Sequence, residues 1–334
     1  MMNMKRYFIY FCCAIGFPLS AQDVHFSQFN DAPLQMNPAL TGNFNGTIRG
    51  YVNYKSQWAS YSKAYSTMSA AVDAHLMQTK GKSSQLGVGL FVYNDKSANK
   101  AMGLTRAMLS IAAIRQLSKH HILSAGLQAG LVQRSLNPDK LSWNNQYDGT
   151  SYNPNLSSLE DGLSLQRNFA DFSAGLNWHY SKSEKAMTFN DKQQFNFGVA
   201  LHHLSKPDQS FYADGKDPLN FCLIFQTNYL IGIANSNLAL VPSAYAALQD
   251  AHKEITGGLA CQYELKNASK YTGQLKSAYI SFGTYYRVLD AMIFNVGLNV
   301  GDYSFAVSYD LRAPGLGKAG ITSGGPELML RFQH

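Results

Sequence analysis

Apolar and polar side chains alternate with period two through most of this chain. Tyr303, Phe305, Val307 and Tyr309 share one face of an extended segment, and Ser304, Ala306, Ser308 and Asp310 share the other. Met292, Phe294, Val296, Leu298 and Val300 alternate with Ile293, Asn295, Gly297 and Asn299. Phe172, Ala174, Leu176, Trp178 and Tyr180 do the same with Asp171, Ser173, Gly175, Asn177 and His179. Neighbouring residues of a strand point to opposite faces, so each segment reads as a strand with one apolar side. The same signal places strands near 46–56, 66–78, 84–94, 102–116, 120–134, 168–182 and 192–204. Seven more fall near 219–233, 237–248, 252–265, 275–287, 289–299, 301–312 and 325–333. Bacterial membrane barrels require an even strand number, and fourteen is even.

The second face carries Gly, Ser, Asn and Ala with few charges, whereas a soluble sandwich turns a charged face to water. The expectation is therefore an all-β protein: a transmembrane antiparallel barrel over 46–334 with an apolar exterior and a tightly filled lumen. Both termini then share one end, and the longest connection, Ser135 to Arg167, lies at the other, outer end. Gly301, between Val300 and Asp302, suits a tight inner hairpin. The inner connections Lys182 to Asp191 and Lys266 to Gln274 are longer than such hairpins usually are. Residues 22–45 do not alternate. They mix Phe26, Phe29, Pro33, Asn37, Pro38 and Gly42, which predicts an ordered, irregular segment packed on or inside the barrel.

The first 21 residues have the anatomy of a cleaved signal peptide: a basic head with Lys5 and Arg6, an apolar stretch from Tyr7 to Leu19, and a small exit residue at Ala21. No later stretch is apolar for the ~20 residues that a spanning helix needs. Composition agrees with a barrel. The chain is 46% apolar and 13% aromatic but only 15% charged, against about 25% charged for ordinary soluble domains. The formal charge of +7 contains no run of like charges, so nucleic acid is not an expected partner. With Cys12 and Cys13 removed in the signal, Cys222 and Cys261 remain, on opposite faces of the wall, and no disulfide framework is expected.

Candidate chemistry is sparse. His120-His121 and His202-His203 put neighbouring rings on opposite strand faces, and no His-Glu-x-x-His or Cys-x-x-Cys motif occurs. Gly81-Lys82-Ser83 lacks the earlier glycine of a phosphate loop, and Gly320 to Gly324 lacks the serine of a nucleophile elbow. Asp171, Ser173 and His179 share a lumenal face, where a hydrolytic group would compete with simple polar filling. Polar filling is the favoured reading. No catalytic, cofactor or metal site is expected.

One resemblance runs through the whole chain. Phe26-Ser27-Gln28-Phe29, Met36-Asn37-Pro38-Ala39-Leu40-Thr41-Gly42 and Tyr54-Lys55-Ser56-Gln57-Trp58 resemble the PorP/SprF family of type IX secretion proteins. So do Asn145-Gln146-Tyr147-Asp148, the run from Phe197 through His203 to Pro207, Pro242-Ser243, Tyr286-Arg287-Val288-Leu289-Asp290-Ala291, Ser308-Tyr309-Asp310-Leu311 and Glu327-Leu328. The resemblance implies a Bacteroidota outer-membrane barrel that works with type IX machinery or with large surface adhesins. It marks Gln28, Asn37, Pro38, Gln57, Trp58, His203, Pro207, Arg287, Asp290, Ser308, Tyr309 and Asp310 as structural or partner-binding positions. Arg287 and Asp290 are expected to bracket a tight turn, and the Pro38 and Pro207 segments to shape lumen and loop. A porin or lipid channel is the alternative, disfavoured by a sparsely charged lumen. A barrel hydrolase ranks below it.

Overall fold

The structure is a computed structural model that describes residues 26–57, 65–78, 84–97, 99–160, 162–182, 190, 192–266, 277–312 and 324–334. The expected signal segment, Trp58, and most of the inner connections at 183–191 and 267–276 lie outside the described residues.

Fourteen strands form one antiparallel sheet that closes on itself: β1 (Ile48–Gln57), β2 (Tyr65–Gln78), β3 (Ser84–Lys96), β4 (Met102–Gln116), β5 (His121–Leu136), β6 (Gln166–Lys182) and β7 (Gln193–His202) make the first half. The second half is β8 (Cys222–Gly232), β9 (Leu238–Gln249), β10 (His252–Lys266), β11 (Ala278–Arg287), β12 (Ala291–Val300), β13 (Tyr303–Arg312) and β14 (Pro326–Gln333). β1 closes on β14 with Tyr51 opposite Arg331 and Lys55 opposite Glu327. Closure leaves no free edge, which is what lipid demands of a spanning sheet. Pro242 lies inside β9 and has no amide hydrogen to donate. The ladder to β8 is interrupted there, between the pairs Asn228–Ser243 and Ile231–Leu240.

Alternation sorts side chains as the sequence pattern implies. Leu109, Leu131, Leu176, Phe282, Val296 and Val307 stand exposed on the outside, while Asn53, Ser69, Asp171, Asn177, Ser308 and Glu327 are buried within. An apolar exterior around a polar interior inverts a soluble protein and marks a membrane barrel. Exposed aromatics band both ends of this exterior, with Tyr54, Tyr286 and Tyr309 at one end and Trp178, Tyr263 and Tyr303 at the other. Aromatic rings favour the membrane–water boundary.

The two ends differ. At the terminus end, where Ile48 and Gln333 stand, the hairpin Val300–Tyr303 turns through Gly301 at φ +62°. At the loop end, residues 137–165 and 203–221 form large connections. Inside runs the segment from Phe26 to Asn45, with 3-10 turns at Phe29–Asp31 and Pro38–Leu40 flanking a short helix, α1 (Pro33–Met36). Proline starts both α1 and the second turn, where its missing N–H is no loss. Phe29, Leu34, Met36, Asn37, Ala39 and Thr41 are buried against the wall. The segment is a plug.

Candidate functional site

The plug is held at three levels, and its first level is electrostatic. Glu327 of β14 accepts from the backbone N–H groups of Ser27 (2.8 Å) and Gln28 (2.9 Å). Gln28 returns a bond from Nε2 to the Glu327 carbonyl at 3.1 Å. The Ser27 hydroxyl donates to Asp310 at 2.6 Å and accepts from Arg287 (2.8 Å) and Lys55 (3.3 Å). Arg287 also meets Asp310 at 3.2 Å and Glu254 at 3.3 Å, and Lys55 lies 4.0 Å from Glu327. Lys55, Glu254, Arg287, Asp310 and Glu327 are all buried. Charges out of water are tolerated only when paired, so each of these depends on the others and on Ser27. All lie on strand segments adjoining the loop end.

Shape dominates the second level. Asn37 caps its own turn, accepting from Ala39 N–H at 2.9 Å, and its Nδ2 donates to the carbonyls of Leu176 (3.0 Å) and Val199 (3.4 Å). The wall beneath it is glycine. A methyl on Gly126 would stand 2.4 Å from the Pro38 carbonyl, and one on Gly175 would stand 2.0 Å from Asn37 Oδ1. Backbone can approach wall this closely only where Cβ is absent. Ser124 donates to the Ala39 carbonyl (2.7 Å), Gln128 to that of Leu34 (3.2 Å), and Tyr51 OH accepts from Leu34 N–H (3.0 Å).

The third level secures the exit toward β1. Asp73 accepts from Gly42 N–H at 2.8 Å and pairs with Arg49 at 2.6 Å. Arg49 in turn donates to the Leu40 carbonyl at 3.1 Å and lies over the Phe44 ring, 4.5 Å from its centroid. Phe44 stacks on His75 at 5.2 Å.

These contacts place the motif positions. Gln28, Asn37, Pro38, Arg287 and Asp310 meet at the plug. Asp290 holds Arg287 at 2.9 Å across the 288–290 turn, as the turn reading expects, but the same guanidinium reaches inward to Ser27. Ser308 is buried in the wall, and Tyr309 faces outward in the aromatic band. Gln57 is half-buried opposite Tyr65 at the loop end of β1. Pro207 accepts from Leu219 N–H at 2.9 Å inside the 203–221 loop. His203, past the end of β7 at φ +61°, is buried with Nδ1 2.9 Å from Asp171.

Two expectations need correction. The lumen is not sparsely charged: Lys55, Asp73, Arg49, Asp171, Arg287 and Glu327 are all buried in it. Single inward charges scattered over several strands look unremarkable in sequence, and closure gathers them. The His202 and His203 rings do not part to opposite faces, because the positive φ of His203 turns its ring back inside, 6.2 Å from its neighbour. Asp171, Ser173 and His179 do not assemble, in keeping with the favoured reading of polar filling. His179 bonds Asn196 (2.8 Å), Asp171 bonds His203, and Ser173 bonds His202 Nδ1 (3.0 Å). His202 Nε2 lies 3.2 Å from the Met36 carbonyl, which can only accept, so Nδ1 accepts from Ser173. This serine–histidine pair is buried under the plug and used to seat it. Among the described residues no group of His, Cys, Asp and Glu side chains could hold a metal ion. Cys222 is buried in the lumen and Cys261 is free on the wall's other side, as their phases require.

At the loop end the two large connections fold together. Arg167 pairs with Asp208 at 2.9 Å, Ser164 N–H donates to the Phe211 carbonyl at 2.8 Å, and Arg134 lies 5.0 Å over the Phe211 ring. Backbone N–H groups of Asp217 (2.9 Å) and Ser210 (3.2 Å) hold the Asp208 carboxyl below the usual range. Gln146 organises the longer loop, donating to the Leu156 carbonyl at 3.1 Å and accepting from Tyr152 OH at 3.2 Å. Tyr147, Tyr152, Leu159 and Tyr212 remain exposed on this ordered cap.

A closed barrel with an apolar banded exterior and a plugged polar lumen is an outer-membrane β-barrel protein. The model of the family described as type IX secretion system membrane protein PorP/SprF matches residues 19–332, and the chain belongs to that family. No curated protein sequence matches it. Solved barrels are similar at low identity. The CymD monoaromatic hydrocarbon channel is 12% identical over 91% of this chain and 93% of its own, with a TM-score of 0.47. The Pseudomonas putida toluene transporter TodX is 12% identical over 90% and 91%, at 0.42. The β domain of the Bordetella autotransporter BrkA is 10% identical over 87% and 100%, at 0.38.

Proposed function

We propose that this chain is a non-enzymatic outer-membrane component of the type IX system that supports export or surface anchoring of cargo such as large adhesins. The observation that carries this reading is the plug. Its three tiers of contacts reach β1, β2, β5, β6, β7, β11, β13 and β14 from the loop end to the exit toward β1, so the fold invests in a stoppered barrel and an ordered, aromatic-bearing cap. A stopper disfavours passive solute flow, and pre-ordered loops with exposed tyrosines suit partner binding. In this reading the signal segment is cleaved after Ala21, the terminus end faces the periplasm and the machinery, and the cap faces outward. Gln28, Asn37, Pro38, Arg287 and Asp310 serve as plug anchors. Deleting the gene is expected to lower the surface amount of one or a few exported proteins, and such a protein should co-purify with the barrel. Unchanged surface proteins together with altered solute uptake would favour a channel instead.

A further inference from the structure

Beside the plug, the lumen keeps an open compartment at the terminus end. It has a volume of about 340 Å³, within the range of ligand pockets. It reaches from the hairpin flanked by Asn299 and Ser304 up to Asn30 and Asp31 of the plug. Four residues of β12, from Asn295 to Asn299, line its depth, which at ~3.3 Å per residue is roughly 13 Å.

Its lining is neutral and rich in amides. Gln194, Gln262 and Asn295 project into it, and among the described residues their side chains make no protein hydrogen bond. Ser281 joins them, its hydroxyl making no hydrogen bond among the described residues. Among the described residues that line it, the one charged feature is self-cancelling: Arg331 pairs with Asp31 at 3.1 Å and donates to Ser304 at 3.1 Å. Neither an anion nor a cation is selected by such a lining. A side-chain amide offers one acceptor and two donors, the same complement as a peptide group. A closed barrel has no strand edge to lend, so side-chain amides are its means of reading a backbone. Sugar recognition would use an open aromatic face; the Tyr285 ring is in T-shaped contact with Phe29 at 5.8 Å, and Tyr279, the other tyrosine of the lining, bonds Arg331 through its hydroxyl.

We infer that this vestibule holds an extended, uncharged stretch of a partner polypeptide, bound mainly through its backbone by Gln194, Gln262, Asn295 and Ser281. The inference rests on the reading of the barrel as a protein-binding component. About four residues in extended form fill the depth. Recognition through the backbone makes the site tolerant of sequence and intolerant of lost backbone N–H groups.

The test uses the full barrel in detergent and a fluorescein-labelled Ser-Gly hexapeptide, followed by fluorescence anisotropy. Saturable binding is expected, retained by an Ala-Gly hexapeptide and abolished when alternate backbone amides are N-methylated. The Gln262→Leu/Asn295→Leu double variant should weaken binding by roughly tenfold, the loss of two modest hydrogen bonds. If that variant fails to fold, Asn295→Cys blocked with a bulky maleimide after purification should compete the peptide out. No saturable binding, equal binding of the methylated peptide, or displacement by maltohexaose alone would overturn the inference. Those outcomes leave the cargo measurement in a deletion strain untouched, so the two readings fail separately.

Discussion

Gly126→Ala isolates the plug from the barrel, because it adds one inward methyl and leaves the lipid face unchanged. That methyl would stand 2.4 Å from the carbonyl carbon and oxygen of Pro38 and 2.5 Å from the Ala39 nitrogen. Ordinary contact begins at 3.4 Å, so the plug must retreat by about 1 Å. The Ser124–Ala39 bond of 2.7 Å would then exceed hydrogen-bond reach. The adjoining Asn37 bonds to Leu176 and Val199 would be strained with it. Overpacking costs about 1–3 kcal/mol, and each lost bond adds about 1 kcal/mol. The docking loss is therefore ~3–5 kcal/mol, or roughly two to nearly four powers of ten in the undocked population. Gly50→Ala is the control: its nearest neighbour is the Ala71 carbonyl at 3.7 Å, and the site is open. The assay is proteinase K cleavage within residues 26–45 of the detergent-solubilised barrel, whose rate tracks the undocked fraction when reclosing is fast. Gly126→Ala should be cut about 100-fold faster or more, with heat-modifiable mobility retained. Equal cleavage of the two folded variants would refute the seat.

Other perturbations probe the remaining levels. Glu327→Ala takes away the acceptor of two plug N–H groups and one of the two carboxylates beside buried Lys55, leaving Asp310 at 3.9 Å, and should loosen the plug by about 3–5 kcal/mol in the same cleavage assay. Asp208 has its folded pKa held below the unfolded value, so its contribution to the cap is complete above that unfolded value and lost as pH falls through the folded one. The hydrogen-exchange protection of residues 203–221, relative to the intrinsic rate at each pH, should stay constant from pH 7 to about 5 and fall only in stronger acid; a loss of protection near neutrality would contradict this cause. Ser151→Cys, on the cap, should react with an impermeant maleimide on whole cells, whereas labelling only after lysis would reverse the orientation.

The barrel was legible because alternation is set by the pleat alone. The pattern from Met292 to Val300 and from Tyr303 to Asp310 reports which residues face lipid wherever the strands finally pair. The plug was legible as an ordered, irregular segment on or inside the barrel, but its contacts were not. That Ser27 meets Arg287 across 260 positions depends on closure, which no local pattern encodes. The charged lumen was misjudged for the same reason, since the buried charges come one or two at a time from separate strands such as β1, β2, β6, β11 and β14. His203 escaped because its side chain is aimed by a left-handed backbone past the strand end, where period two no longer applies. The glycines at 126 and 175 carried a signal that could have been read: inward glycine in a strand commonly marks close backbone approach.

The central claim is that the lumen is stoppered by residues 26–45, so that the barrel serves a partner rather than passing solutes. Planar-bilayer conductance tests it most directly, with the purified chain compared against a variant lacking 26–45. The account predicts a silent wild-type barrel and stable ohmic steps from the plug-less one. Equal, steady conductance from both would contradict it.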